Sequence, residues 1–117
     1  MNLNRGMVVL VELDPTLGQE QRGIRPCVVV SDTEVALAQR FPVLCVVPVT
    51  GTPGEGILYP ALEASGSGLT KTSYALVDHL RSIDKRRIRR VFGTLGETEL
   101  QRIDDGLVAY LGLGAKG

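Results

Sequence analysis

Aromatic side chains are scarce in this 117-residue sequence, which has no tryptophan and only Phe41, Phe92, Tyr59, Tyr74 and Tyr110. A binding surface built as a broad platform of stacked rings is therefore excluded, and recognition has to lean on hydrogen bonds. There is one histidine, His79, and there are two cysteines, Cys27 and Cys45, each inside an apolar run. That set has no metal-ligand spacing, so no metal site is expected. Both thiols read as buried and free, small hydrophobes rather than a disulfide. Thirteen basic and thirteen acidic residues cancel, so the overall basic excess usual in nucleic-acid binders is missing too. No apolar run approaches the roughly 18 residues that a membrane span needs. The N-terminal Met1-Asn-Leu-Asn-Arg5 lacks the apolar stretch of a secretion signal, and cytoplasmic residence without a membrane partner is the expectation.

What is present is ordinary globular material, 44% apolar and 22% charged, in a length that suits one domain, residues 1–117, with a real core. Six β-rich segments lie near 6–13, 24–31, 43–50, 57–60, 74–83 and 89–94. No helical pattern of crossover length separates them, which argues for an antiparallel sheet or small barrel over a parallel βαβ sheet. A short helix over 33–40 fits between the second and third segments. Gly51–Gly56 and Ser65–Gly68 have the composition of loops. Near 97–112 the spacing of Leu100, Ile103, Leu107 and Leu111 predicts a helix with one apolar face. Gly106 inside it costs about 1 kcal/mol relative to alanine, so packing on the sheet has to hold this helix. The fold class is α+β, mainly β.

Two segments carry concentrated chemistry. Residues 14–26 separate the runs Met7–Val11 and Cys27–Val30 and contain two arginines, the Glu20 carboxylate and two carboxamides. Loops beyond about 12 residues are uncommon in compact domains and usually functional or disordered, and this chemistry suits phosphate better than a tight hairpin. Residues 81–90 hold six basic groups and one acid, a strip able to track phosphates. If the 24–31 and 43–50 segments form an antiparallel pair, the start of one faces the end of the other. Arg25 and Thr50 then meet at one rim beside the loop.

The loop block Gly18-Gln19-Glu20-Gln21-Arg22-Gly23-Ile24-Arg25-Pro26, with Arg5-Gly6 ahead of it, resembles the G-x-E-Q-x-G-x-R-P signature of the MazF/PemK toxin family. Val46-Val47-Pro48-Val49-Thr50 is similar to that family's strand ending in threonine. The block from Asp78 to Arg87 is similar to its D-Q-x-R-T-I-D-K-x-R. The resemblance implies an SH3-like barrel of antiparallel strands with a C-terminal helix. It also implies a toxin of a toxin–antitoxin system, a homodimer held in check by an acidic, disordered antitoxin segment. The implied activity is metal-independent, cofactor-free endonucleolytic cleavage of single-stranded RNA (mRNA) to 2′,3′-cyclic phosphate and 5′-hydroxyl ends.

By position, the resemblance gives Arg25 the stabilisation of the pentacoordinate transition state and Thr50 a hold on a phosphoryl oxygen. The general base stays open between Glu20 and Arg25; a carboxylate suits proton abstraction near neutrality better than a guanidinium does. Gln19, Gln21, Arg22, Asp78, His79, Arg81, Lys85 and Arg86 are the expected RNA contacts, and Tyr59 is expected near the groove. Two residues depart from the pattern: His79 stands where the family carries glutamine, and Met7 where it often carries aspartate. The rival reading is a non-catalytic interaction module on the same barrel, like the related gyrase-poisoning toxins, which has no need of Glu20, Arg25, Thr50 and Asp78 together.

Overall fold

The computed structural model describes residues 2–64 and 66–114. Ser65, expected in the second glycine-rich loop, lies outside them, as do Met1 and the last three residues. Seven strands and two α-helices run in the order β1 (Met7–Glu12), β2 (Ile24–Val29), α1 (Thr33–Leu37), β3 (Val43–Thr50), β4 (Ala61–Leu62), β5 (Ser73–Ala75), β6 (Arg81–Asp84), β7 (Ile88–Thr94) and α2 (Glu97–Leu111). All pairings are antiparallel, in the order β4-β5-β3-β2-β1-β7, with β6 also on β3. Two register shifts between β1 and β7 add the local twist that curls the sheet into a half-barrel.

The apolar runs of β1, β2 and β3 are nearly unbroken because the sheet is covered on both faces. Val9, Val11, Cys27, Val29, Leu44, Val46, Ile83 and Ile88 fill the inside of the curl. Their neighbours Val8, Val28, Val47 and Val49 point outward onto Val77 and onto Ile103 of α2. Strict alternation with polar residues is expected only where one face meets water. Met7, the departure from the family pattern, packs against the inner cluster.

Helix α2 explains its own glycine. Ile103 is fully buried, and Gly106 beside it lies so close to the sheet side that a Cβ would stand 2.7 Å from the Ile57 carbonyl oxygen and 3.0 Å from Val77 Cγ2. The helix stops at Gly112 in the left-handed region (φ 69°), where the N–H of Leu113 closes back on the Val108 carbonyl at 3.0 Å. Leu111, expected on the buried face, is 49% exposed, because contact with the sheet has ended before the last turn.

Two expected strands came out differently. Residues 57–60 precede β4 instead of forming it, though Pro60 and Leu58 still accept from the amides of Ala75 and Val77. The segment 74–83 is not one strand: β5 and β6 are split by a 3₁₀ turn, Val77–His79. Pro48 supplies the reason. Its carbonyl accepts from Leu76 N at 2.8 Å, so the side of Pro48 that lacks an N–H faces this segment. The ladder is interrupted there, with β6 pairing Val43–Val46 and β5 pairing Val49–Thr50. Helix α1 is capped by Asp32, whose carboxylate accepts from Glu34 N at 3.0 Å, and it ends five residues later, ahead of the Phe41-Pro42 break.

Candidate active site

The strand β2 pairs with β3 through Cys27↔Pro48, and the same register carried outward sets Arg25 opposite Thr50. Cross-strand partners share a face of the sheet. Arg25 and Thr50 therefore continue the inner face that carries Cys27, and they sit at the rim where the apolar filling stops. Thr50 Oγ1 accepts from Thr52 N at 3.2 Å, which leaves its O–H proton available. Arg25 is exposed; its Nε donates to the Arg22 carbonyl at 2.9 Å, and among the described residues its two Nη groups have no partner.

The 13–23 loop is tied together by its own hydrogen bonds. Leu13 N bonds the Gly23 carbonyl at 2.8 Å across its neck, and the Asp14–Pro15 peptide is cis. Gly18 (φ 55°) and Gly23 (φ 73°) take left-handed turns, with Glu20 Oε1 accepting from Leu17 N at 2.6 Å between them. The loop walls two adjoining recesses. The first, about 300 Å³, is lined by Gln19, Glu20, Gln21, Asp78, His79 and Arg81 among others. The second, about 420 Å³, is lined by Gln19, Gln21, Thr50, Tyr59 and His79. The two carboxamides and His79 are the partition that both recesses share.

The 3₁₀ turn places Asp78 and His79 side by side, where a continuous strand would have sent them to opposite faces. Asp78 Oδ2 accepts from the Tyr59 hydroxyl at 2.6 Å. That bond holds the phenol proton and pushes the Tyr59 pKa up from its ordinary value. Asp78 Oδ1 is buried without a hydrogen-bond partner; His79 Nε2 stands 3.8 Å from it, beyond hydrogen-bond reach. Arg81 enters the mouth from β6 and donates to the Leu13 carbonyl at 3.0 Å, fastening the loop. Burial pushes the Cys27 thiol up to about 12, with the Arg81 guanidinium acting against it, so Cys27 is a protonated filler and no nucleophile.

Other expected contacts lie elsewhere. Lys85 Nζ donates to the carbonyls of Val35 (2.7 Å) and Ala38 (3.0 Å), closing the end of α1. Arg86 grips Asp84 through Nε and Nη2, both at 3.0 Å, and that hydrogen bond holds the Asp84 pKa at about 2. Asp84 pairs with Val43, at the opposite end of β3 from Thr50. Arg22 bends back to the Gly18 carbonyl at 3.3 Å. Arg5 of the Arg5-Gly6 pair is bound to Asp104 of α2 and to the Val30 carbonyl, a structural tie. Lys71, absent from the expectations, reaches over Gly51 so closely that a Cβ there would lie 2.9 Å from Nζ, setting a cation next to the Thr50 rim. Its only sequence signal is its place just before β5, the strand that pairs with Thr50. Among the described residues no three His, Cys, Asp or Glu side chains stand together as a metal site, and no helix is long and apolar enough to cross a membrane.

Residues 4–111 match the model of the PemK-like, MazF-like toxins of type II toxin–antitoxin systems. The chain belongs to this family. Among curated proteins it is similar to Endoribonuclease MazF9 of Mycobacterium tuberculosis, 37% identical over 117 residues, covering 95% of this chain and 98% of the relative. Among solved structures it superposes on MazF of Deinococcus radiodurans with a TM-score of 0.82 at 26% identity, covering 96% of this chain and 98% of the other. A MazE–MazF complex from the same organism gives 0.77 at 25% identity, with 97% and 99% covered. The curled sheet and terminal helix are thus the MazF fold, and the two recesses lie at one end of a MazF barrel.

Proposed function

We propose that this MazF-family chain is an endoribonuclease that cuts single-stranded RNA, mRNA included, by transesterification without a metal ion. The reading is carried by the β2–β3 register, which continued two residues past Cys27↔Pro48 sets Arg25 opposite Thr50, and by Thr50 lining the second recess. The similarity to a relative named an endoribonuclease supports it. In this reaction the RNA supplies its own nucleophile. The 2′-hydroxyl loses a proton and its oxygen bonds to the adjacent phosphorus. The bond from phosphorus to the 5′-oxygen then breaks, leaving a 2′,3′-cyclic phosphate and a 5′-hydroxyl. The protein has to hold the strand, take up and return one proton, and stabilise the charge that grows on the phosphoryl oxygens.

Arg25 does the last of these through its open Nη groups, and Thr50 donates its hydroxyl to a phosphoryl oxygen. Preorganised donors aimed at developing charge are commonly the largest single contribution to such a rate. Glu20, across the carboxamide partition, takes the 2′-hydroxyl proton and returns it to the 5′-oxygen. Gln19, Gln21 and His79 read base edges from the shared wall, and Arg81 and Lys71 add positive charge at the mouth. We further propose that the chain works as a homodimer and that an acidic antitoxin segment occupies the same rim; the MazE–MazF complex of D. radiodurans supports a partner of that kind.

The test is a pair of oligonucleotides around a mapped cut, one all-ribose and one with a single 2′-deoxy sugar on the 5′ side of the cut. The reading expects the first to be cleaved and the second to resist. Equal cleavage of both would rule out attack by the 2′-hydroxyl.

A further inference from the structure

We propose that Tyr59 is a stacking platform for one RNA base in the recess beside Thr50, and that Asp78 is the positioning residue that fixes its ring there. This rests on the ribonuclease reading and adds to it a base-binding subsite. Tyr59 is half-buried and lines the second recess together with Thr50, Gln19, Gln21 and His79. Of the chain's five aromatics it alone lines either recess. Phe41 and Phe92 are covered by the guanidinium groups of Arg40 and Arg90.

The ring is held at both ends. At its root, a Cβ on Gly54 would fall 2.9 Å from Tyr59 Cβ and 3.1 Å from Cγ, so only a glycine lets the 51–56 loop backbone lie against it. At its tip the hydroxyl is tied to Asp78 at 2.6 Å. A ring fixed before binding has little rotamer freedom left to lose when a base settles on it. Asp78 also leaves its second oxygen buried and unpaired. An unpaired buried oxygen is a liability for stability, and the one hydrogen bond of this carboxylate among the described residues is the one that holds Tyr59. Every base presents a π-face, so such a platform accepts any of the four, and selectivity falls to the hydrogen-bonding groups around it.

The experiment first maps the cut made in a long RNA by the wild-type protein. It then measures binding of oligonucleotides made uncleavable by one 2′-deoxy sugar, with abasic residues introduced one position at a time. At one position flanking the cut, the abasic change should weaken wild-type binding by roughly 5- to 150-fold, the range for loss of one stacked base. Tyr59→Leu should weaken the intact oligonucleotide by a similar factor and be indifferent to that abasic change. Tyr59→Phe, which keeps the ring but cuts its tie to Asp78, should fall between wild type and Tyr59→Leu and still respond to the abasic change.

In a second readout that needs no folded Tyr59→Leu protein, 2-aminopurine at that position should be quenched on binding the wild type. The quench should diminish in Asp78→Ala. Unchanged affinity in Tyr59→Leu, an equal abasic penalty in both proteins, or no quench at any position would overturn the platform while leaving the ribonuclease in place. Intact RNA from folded wild-type protein would overturn both.

Discussion

The basic corner at residues 84–89 and the rim around Thr50 are both rich in polar and charged groups, but the two regions treat them differently. In the corner each charge is engaged by the protein itself. Lys85 closes α1, Arg86 is chelated by Asp84, Arg87 holds the carbonyls of Glu12 and Asp14, and Arg89 is paired with Glu12. At the rim, groups are left open: the Nη atoms of Arg25 and the hydroxyl proton of Thr50. Density of charge in a sequence thus marks a place where charge matters. The unfilled bonding capacity marks where a ligand is wanted, and here that is the less basic of the two regions.

On that contrast, rim variants should change rate and corner variants should change stability. The largest effect belongs to Arg25→Ala, which should lower RNA cleavage by at least about 10²-fold. It should leave unfolding free energy within about 0.5 kcal/mol, as for an ordinary surface change. Arg86→Ala should cut RNA at close to the wild-type rate, and the two rates measured side by side give the comparison its sharpest form. Gly106→Ala sets the stability scale away from both regions. Helix propensity alone would favour alanine by about 1 kcal/mol, but the contact with the Ile57 carbonyl should make the variant less stable by about 1–3 kcal/mol in denaturant unfolding.

A smaller loss is expected of Lys85→Met, about 1 kcal/mol, because two hydrogen bonds to carbonyls at the end of α1 are lost, although Ala38 keeps its bond from Phe41 N. The salt dependence of its RNA binding should match the wild type. A log–log slope reduced by about one unit would instead put Lys85 on the RNA. Asp84 gives the smallest effect. Its folded pKa, about 2, lies below the ordinary carboxylate value, so its ion pair contributes above about pH 4 and is lost as pH falls toward 2. The wild type should be more stable than Asp84→Asn at neutral pH, and the gap should close in acid.

Much of the barrel could be read in advance because its determinants are local. The runs at 7–11, 27–30 and 43–50 are β-branched, and the spacing of Leu100, Ile103 and Leu107 is helical. The antiparallel pairing of neighbouring strands was enough to bring Arg25 toward Thr50. The break at Val77–His79 was harder to foresee, since Leu76, Val77 and Leu80 look like continuing strand. Its cause is Pro48, nearly thirty residues away in sequence, whose missing N–H acts across a ladder. The engagement of Lys85 was hidden for a similar reason: its acceptors are carbonyls at the end of a five-residue helix that stops at Leu37, short of the expected residue 40. The tyrosine–aspartate bond joins residues nineteen apart through a loop and a 3₁₀ turn, neither of which carries a periodic pattern.

The measurement that bears most directly on the account is end-group analysis of RNA incubated with the purified protein in EDTA. The account predicts discrete fragments ending in 2′,3′-cyclic phosphate and beginning with 5′-hydroxyl. Intact RNA from folded protein, or 5′-phosphate ends that appear only when a divalent metal is restored, would contradict it.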